Sequence, residues 1–170
     1  MPRGIALVGR YLDGVGRILE GDPLELAIAD HIKKQRENEI PRLFHYAQVL
    51  MALAVNQAQF GATGTPSTFW QGWREPESGE AALPGLLATP LSAEQMRATF
   101  APDEGRTSGR VSAEARKAFE ALVASGRTPT EQDKLLNALA TPERLLVMAS
   151  RYTVFEGGAR KLARYQQYFA

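Results

Sequence analysis

The chain has 170 residues, of which 44% are hydrophobic and 23% are charged, so it is long enough for one ordinary domain with a real core. It has no cysteine, which excludes disulfides and thiolate metal sites and suits a reducing cytoplasm. The net charge of +1 neither favours nor excludes nucleic acid, because local patches matter more than totals. The longest apolar run, residues 49–55, is too short to cross a bilayer, and we find no secretion signal. We expect a cytoplasmic protein with no membrane partner.

The first predicted elements are a short strand over residues 5–8 and a helix that begins at Asp22. The carboxylate of Asp22 can accept backbone N–H bonds, and Pro23 suits the first helical turn. Apolar residues then recur at helical spacing, at Leu24, Ile28 and Ile32. Pro41 should end this helix, because the residue before a proline avoids the helical region.

The next stretch, residues 47–63, is ambiguous between helix and strand. Its periodicity alone allows a buried helix, but the polar pair Asn56-Gln57 followed by alternation favours a hairpin. An aromatic group of Phe69, Trp70 and Trp73 follows, and for the two tryptophans we expect core packing rather than stacking on a base. Residues 76–91 are rich in Pro, Gly and Glu and are interpreted as a linker.

Beyond residue 91 the sequence predicts helices. Residues typical of helix N-termini recur at 92–95, 128–131 and 141–143. Residues 101–109, between the first and second of these ranges, are predicted to form a polar loop. Three apolar faces are expected, namely Phe119 with Leu122 and Val123, Leu135 with Leu136 and Leu139, and Leu145 with Leu146 and Met148. The predicted class is α+β, with a small sheet and helices in residues 1–75 and a helical bridge over residues 92–150.

The last twenty residues are predicted to form a short strand, a Gly157-Gly158 turn and a basic helix. Leu162, Tyr165 and Phe169 would share one face of that helix. Two groups of cations are candidate DNA contacts. One is Lys33, Lys34 and Arg36, and the other is Arg160, Lys161 and Arg164. Basic residues in such an arrangement more often form a solvated face.

The two histidines lie fourteen residues apart in the sequence and have no obvious third ligand, so we expect no metal site. His31 is interpreted as a residue on the surface of its helix. His45 is interpreted as half-buried.

Several phrases of this sequence, in this order, resemble the R (motor and endonuclease) subunit of type I restriction enzymes. Residues 22–35 and 39–46 are similar to the helix and strand that close the nuclease domain, and residues 58–70 and 73–75 to the segment that follows. Residues 130–136 and 142–146 resemble the bridge to the motor. The closing phrases Tyr152-Thr-Val-Phe155 and Tyr165-Gln166-Gln167 resemble the entry into the motor domain.

The resemblance implies that residues 1–75 are part of a nuclease domain and residues 151–170 the start of the motor, with Gln167, or its neighbour Gln166, contacting adenine. An amide suits that role because it both donates and accepts hydrogen bonds. An intact R subunit would translocate and cleave DNA with ATP and Mg²⁺, in a complex with methyltransferase and specificity subunits.

The catalytic motifs of that family are missing from this sequence. No Glu-x-Lys or Asp-x-Lys occurs, Gly9-Arg10-Tyr11 stands where it is expected, and Asp30 stands about where an accessory Gln would fall. No phosphate-binding loop is present, and the acidic phrase at residues 103–106 is interpreted as a solvated loop. We therefore predict no catalytic residue, and no cofactor for this chain alone.

Three hypotheses follow from these observations. The first is a fragment of an R subunit that is inactive by itself. The second is a standalone interaction module that docks on methyltransferase subunits or binds DNA weakly. The third is a decayed reading frame that folds without a function.

Overall fold

The structure is a computed structural model, and it describes residues 22–54, 56–100 and 109–170. Contacts divide the chain into two compact units, one made of the residues up to Pro76 together with Thr130–Ala170 and the other of Glu77–Pro129. Helices and two small antiparallel sheets confirm the predicted α+β class. The predicted strand at residues 5–8 and the acidic phrase at residues 103–106 lie outside the described residues.

The described elements are listed here in chain order. They are α1 (Pro23–Lys34), α2 (Pro41–Tyr46), β1 (Leu50–Ala54), β2 (Gln57–Gly61), a 3₁₀ turn (Ser67–Phe69), α3 (Glu77–Ala81), α4 (Leu83–Ala88), α5 (Ala93–Phe100), α6 (Gly109–Ala124), α7 (Glu131–Leu139), α8 (Pro142–Arg151), β3 (Thr153–Glu156), β4 (Ala159–Leu162) and α9 (Tyr165–Tyr168).

Helix α1 begins where the sequence predicts. The Asp22 carboxylate accepts the backbone N–H groups of Leu24, at 2.8 Å, and Glu25, at 3.3 Å. The hydrogen bond from Leu24 is the main reason why the pKa of Asp22 lies below its ordinary value. The helix ends at Lys34, well before the predicted stop, and Pro41 instead occupies the first turn of α2.

The hairpin of β1 and β2 is the centre of the first unit and confirms the predicted hairpin. Its strands pair from Leu50 opposite Gly61 to Ala54 opposite Gln57. Because strand side chains alternate, Leu50 and Ala52 face one core cluster, formed with Leu24, Ile28, Phe44 and Trp70. The opposite face carries Phe60 into a second cluster, formed with Trp73, Leu135, Ala138, Leu139 and Met148. A two-stranded hairpin is marginal alone, and here both faces are covered.

The two tryptophans are core residues, as predicted, and each is 5% exposed. Trp70 packs flat on Gly61, where a Cβ atom would lie 3.0 Å from the indole ring. Trp73 donates its indole N–H to Glu75 at 2.7 Å, and the Arg144 guanidinium donates to the same carboxylate at 3.0 Å. This ion pair therefore ties the segment after β2 to helix α8.

One of the three residues predicted to form the apolar face of helix α8 is exposed. Met148 is fully buried and Leu145 is partly buried, but the side chain of Leu146 is 71% exposed. The guanidinium carbon of Arg144 lies 4.4 Å from the centre of the Tyr168 ring, so a cation and an aromatic ring occupy part of the face that was expected to be aliphatic.

The second unit contains α3 to α6. Ser92 and Gln95 exchange hydrogen bonds in a capping box that starts α5, as predicted. Phe119 of α6 packs on Phe100, with ring centres 5.6 Å apart. Helices α3 and α4 occupy most of residues 76–91, the predicted linker, and Pro84 stands in the first turn of α4, where proline is compatible with a helix. The predicted bridge, residues 92–150, is shared between the two units.

The C-terminal basic helix was a wrong prediction. Gly157 and Gly158 have φ angles of 58° and 78°, which only glycine adopts readily, and they turn the chain back into strand β4. Arg160 and Lys161 therefore lie on a strand, and only Tyr165–Tyr168 is helical. Leu162 and Tyr165 pack against the second cluster, whereas Phe169 is 43% exposed.

Candidate functional site

The first unit contains a cleft of about 660 Å³, which we call the basic cleft. One wall is the end of β2 and the loop after it, residues 60–66. The other wall is the hairpin of β3 and β4 with the residues that follow it. Both walls belong to the same compact unit, and the volume lies in the range of small-ligand sites in proteins.

Four hydrogen bonds hold the loop wall of the cleft in place. Trp70 donates its indole N–H to the carbonyl of Thr65, at 3.2 Å, and the Thr65 hydroxyl accepts the N–H of Ala62, at 2.9 Å. The Thr63 hydroxyl donates to the carbonyl of Phe44, at 2.8 Å. The N–H of Gly64 donates to the side chain of Gln35, at 2.7 Å. A wall that is held by four such bonds is preorganised for binding.

The lining of the cleft is cationic. Four of its lining residues carry a positive charge and none carries a carboxylate: Arg151, Arg160, Lys161 and Arg164. Cations around a concave surface concentrate anions there, because low-dielectric walls focus the field. Such a lining is suited to an anionic ligand, and arginine can bind a phosphate or a carboxylate with two parallel hydrogen bonds.

Two of the four cations have partners in the protein. The Arg160 guanidinium donates to the carbonyl of Ala47 and lies 5.5 Å from the ring centre of Phe155. The Lys161 ammonium pairs with Glu156, and this ion pair lowers the pKa of the Glu156 carboxyl below its ordinary value. The Lys161–Glu156 pair is solvent-exposed and competes weakly with a phosphate.

The other two cations are available. Arg151 ends helix α8 and Arg164 precedes helix α9, and both side chains are exposed. Within the part of the chain that the structure describes, neither has a carboxylate within ion-pair distance. Arg151 and Arg164 are therefore the cations with the most capacity to hold a ligand phosphate.

The two candidate adenine contacts lie in different places. Gln167 lines the basic cleft, and its side-chain oxygen accepts the backbone N–H of Arg164, at 2.8 Å. That bond caps α9 and fixes the amide, whose N–H₂ group remains a donor. Gln166 instead lines a second, neighbouring cleft of about 550 Å³.

The other basic group, Lys33, Lys34 and Arg36, does not line either cleft. Lys33 lies 3.8 Å from Glu39, and Lys34 pairs with Asp30 one turn earlier on α1. Asp30, the residue at the accessory Gln position, therefore serves an ion pair within its helix. This basic group therefore lies outside the lining of both clefts.

Both histidine predictions were wrong. His31 stacks on Trp70, with ring centres 5.5 Å apart, and its Nε2 lies 3.1 Å from the carbonyl oxygen of Met51. It is therefore part of the packing under the hairpin rather than a surface residue. His45 is exposed because the neighbouring Phe44 takes the buried position of α2. No cluster of three potential metal ligands occurs among the described residues.

Sequence reasoning missed Arg151, Phe69 and Gln71 as residues of the cleft. Arg151 is the first of the last twenty residues, so its charge was visible, but its place in the same cleft as Arg164 depends on the fold. Phe69 was grouped with the core tryptophans, yet its side chain is 60% exposed.

Comparison with known proteins found no matching family model, curated protein or solved structure. No helix in the described ranges is both long and apolar enough to span a bilayer.

Proposed function

We propose that this chain is a segment of a type I restriction enzyme R subunit and that its own task is to hold nucleic-acid phosphates in the basic cleft. The observation that carries the proposal is the lining of that cleft, with four cations and no carboxylate. A cytoplasmic location, and a complex with methyltransferase and specificity subunits, belong to the same proposal.

The packing of the first unit supports the resemblance. Two phrases that lie far apart in the sequence, residues 73–75 and 142–146, meet through the ion pair of Glu75 and Arg144, and the Arg144 guanidinium also lies over the ring of Tyr168, the residue that follows the phrase 165–167. This contact is what we expect if these phrases form the joint between the nuclease side and the motor side of the subunit.

Catalysis is not part of the proposed task. The sequence has neither the Glu-x-Lys of the nuclease nor a phosphate-binding loop, so ATP and Mg²⁺ are assigned to the intact subunit. Purified chain should leave plasmid DNA uncut with Mg²⁺, both with and without ATP. Cutting that disappears with EDTA would contradict this assignment.

An adenine nucleotide is a second candidate ligand for the same cleft. Gln167 lies in the lining, and a volume of about 660 Å³ suits a molecule of that size. Its amide has a free donor and a second lone pair on its oxygen, which together suit the edge of adenine. Competition of ATP against DNA for the cleft tests this candidate.

A standalone interaction module remains the alternative function. Three exposed apolar side chains on α8 and β3 favour it, at Leu146, Val154 and Phe155, which are 71%, 59% and 69% exposed. Exposed apolar groups often mark protein contacts. Co-purification with methyltransferase subunits supports this alternative, and failure to form that complex while DNA still binds contradicts it.

The test of the proposed function is DNA binding followed by fluorescence anisotropy at low salt. Arg151→Ala and Arg164→Ala should each weaken binding, because each removes a cation that lies in the cleft without an ion-pair partner in the described ranges. Arg36→Ala is the matched control, since Arg36 is an exposed arginine of the same unit outside the cleft. Equal losses from all three variants would contradict a role for the cleft.

A further inference from the structure

The second cleft adjoins the basic cleft. Three residues line both of them, namely Phe69, Gln71 and Arg164, so these residues form a ridge between two adjoining hollows. The second hollow adds Arg74 to the cations, and its single carboxylate, Glu131, is paired with Lys134 at 2.8 Å. We call the two adjoining clefts together the groove, and both of them have cations in their lining.

The ridge presents an aromatic ring to solvent. Phe69 ends the 3₁₀ turn, where its N–H donates to the carbonyl of Pro66, at 3.0 Å. The next residue, Trp70, is buried and donates its N–H to Ser67, at 3.2 Å, so the backbone on both sides of the ring is fixed. Phe69 nevertheless remains 60% exposed, which leaves an exposed aromatic ring on a fixed backbone between the two hollows.

We infer that this groove binds single-stranded nucleic acid, with one base stacked on Phe69 and the neighbouring phosphates held by Arg164 and Arg151. The inference rests on the proposed function and names its ligand. Proteins that bind single strands without sequence preference combine a cationic groove with exposed aromatic rings. The groove has both features. Stacking and phosphate contacts do not depend on which base is bound, so we expect the groove to bind single strands of any sequence.

A duplex fits this arrangement less well. Its bases are stacked on each other inside the helix, so none is available to the Phe69 ring, and its phosphates lie on a convex surface. The two hollows, of about 660 Å³ and 550 Å³, are of small-ligand size and suit individual nucleotides. Gln71 on the ridge offers an amide that can donate to or accept from the edge of any base.

The experiment compares the affinity of the purified chain for a fluorescein-labelled oligothymidine with its affinity for a duplex of the same length. Wild type should prefer the single strand, and Phe69→Ala should weaken single-strand binding roughly 5- to 150-fold, the effect of losing one stacked base. Phe69→Trp should retain binding. Tyr46→Ala is the control, because Tyr46 is an aromatic residue of the same unit that is 83% exposed and lines neither hollow.

The outcomes separate this inference from the proposed function. Equal affinity for both forms of DNA, or no effect of Phe69→Ala, overturns the single-strand groove while leaving phosphate binding in place. Absence of any DNA binding by wild type overturns the proposed function itself. Circular dichroism of Phe69→Ala checks that the variant is folded, which is expected because the ring is mostly exposed.

Discussion

The ion pair between Glu75 and Arg144 should be a main support of the first unit. The two side chains are only 12% and 21% exposed, and the Glu75 carboxylate also accepts the indole N–H of Trp73. Glu75→Ala would remove both hydrogen bonds and leave a guanidinium without its counter-charge in a poorly hydrated place. We expect a loss of about 2–4 kcal/mol in the free energy of unfolding.

Glu75→Gln separates charge from hydrogen bonding. Glutamine keeps an acceptor oxygen for the Trp73 indole but loses the negative charge that faces Arg144, so the expected loss is smaller, about 1–2 kcal/mol. Glu156→Ala is the control, because the Glu156–Lys161 pair is exposed and should contribute no measurable stability.

The assay is urea unfolding followed by tryptophan fluorescence. Both tryptophans of the chain lie in the core of the first unit, so the signal reports on that unit. A loss below about 0.5 kcal/mol for Glu75→Ala, equal to that of the exposed control, would refute the reasoning that this pair holds the joint.

Two further predictions concern the core and the pH dependence of stability. Gly61→Ala should cost about 1–3 kcal/mol in urea unfolding, because the new methyl group would lie 3.0 Å from the Trp70 ring, whereas Gly72→Ala, with its nearest atom at 3.7 Å, should change little. The folded-state pKa of Asp22 is depressed, so its stabilising effect is present above its unfolded pKa and is lost as the pH falls through the folded pKa. Asp22→Asn keeps an N-cap side chain and should reduce the acid sensitivity of unfolding, and an unchanged pH profile would contradict this.

Local chemistry explains which elements the sequence predicted. Helix α1 begins at Asp22 because its cap depends on residues next to it, and the first hairpin follows from a polar pair between two apolar runs. Gln167, a candidate from the resemblance, lines the cleft, and so do three candidates from the basic stripe, at Arg160, Lys161 and Arg164.

Tertiary contacts explain what the sequence did not predict. Strand β4 has only four residues and good helix formers, and the two left-handed glycines before it decide its pairing. His31 packs on Trp70 and lies within hydrogen-bond distance of the Met51 carbonyl, and both residues are distant from it in the sequence. Arg151 and Arg164 face one cleft because a hairpin separates them, and Phe69 became a candidate ligand contact only when its exposure was known.

The most direct test of the central claim is the salt dependence of single-strand binding. If all four cations of the basic cleft contact phosphates, the logarithm of the binding constant should fall with the logarithm of salt concentration at a slope of about −2.8. The double variant Arg151→Ala/Arg164→Ala should bind more weakly, with a slope of about −1.4. An identical slope and affinity for wild type and double variant would show that the phosphates are held elsewhere and would contradict the account.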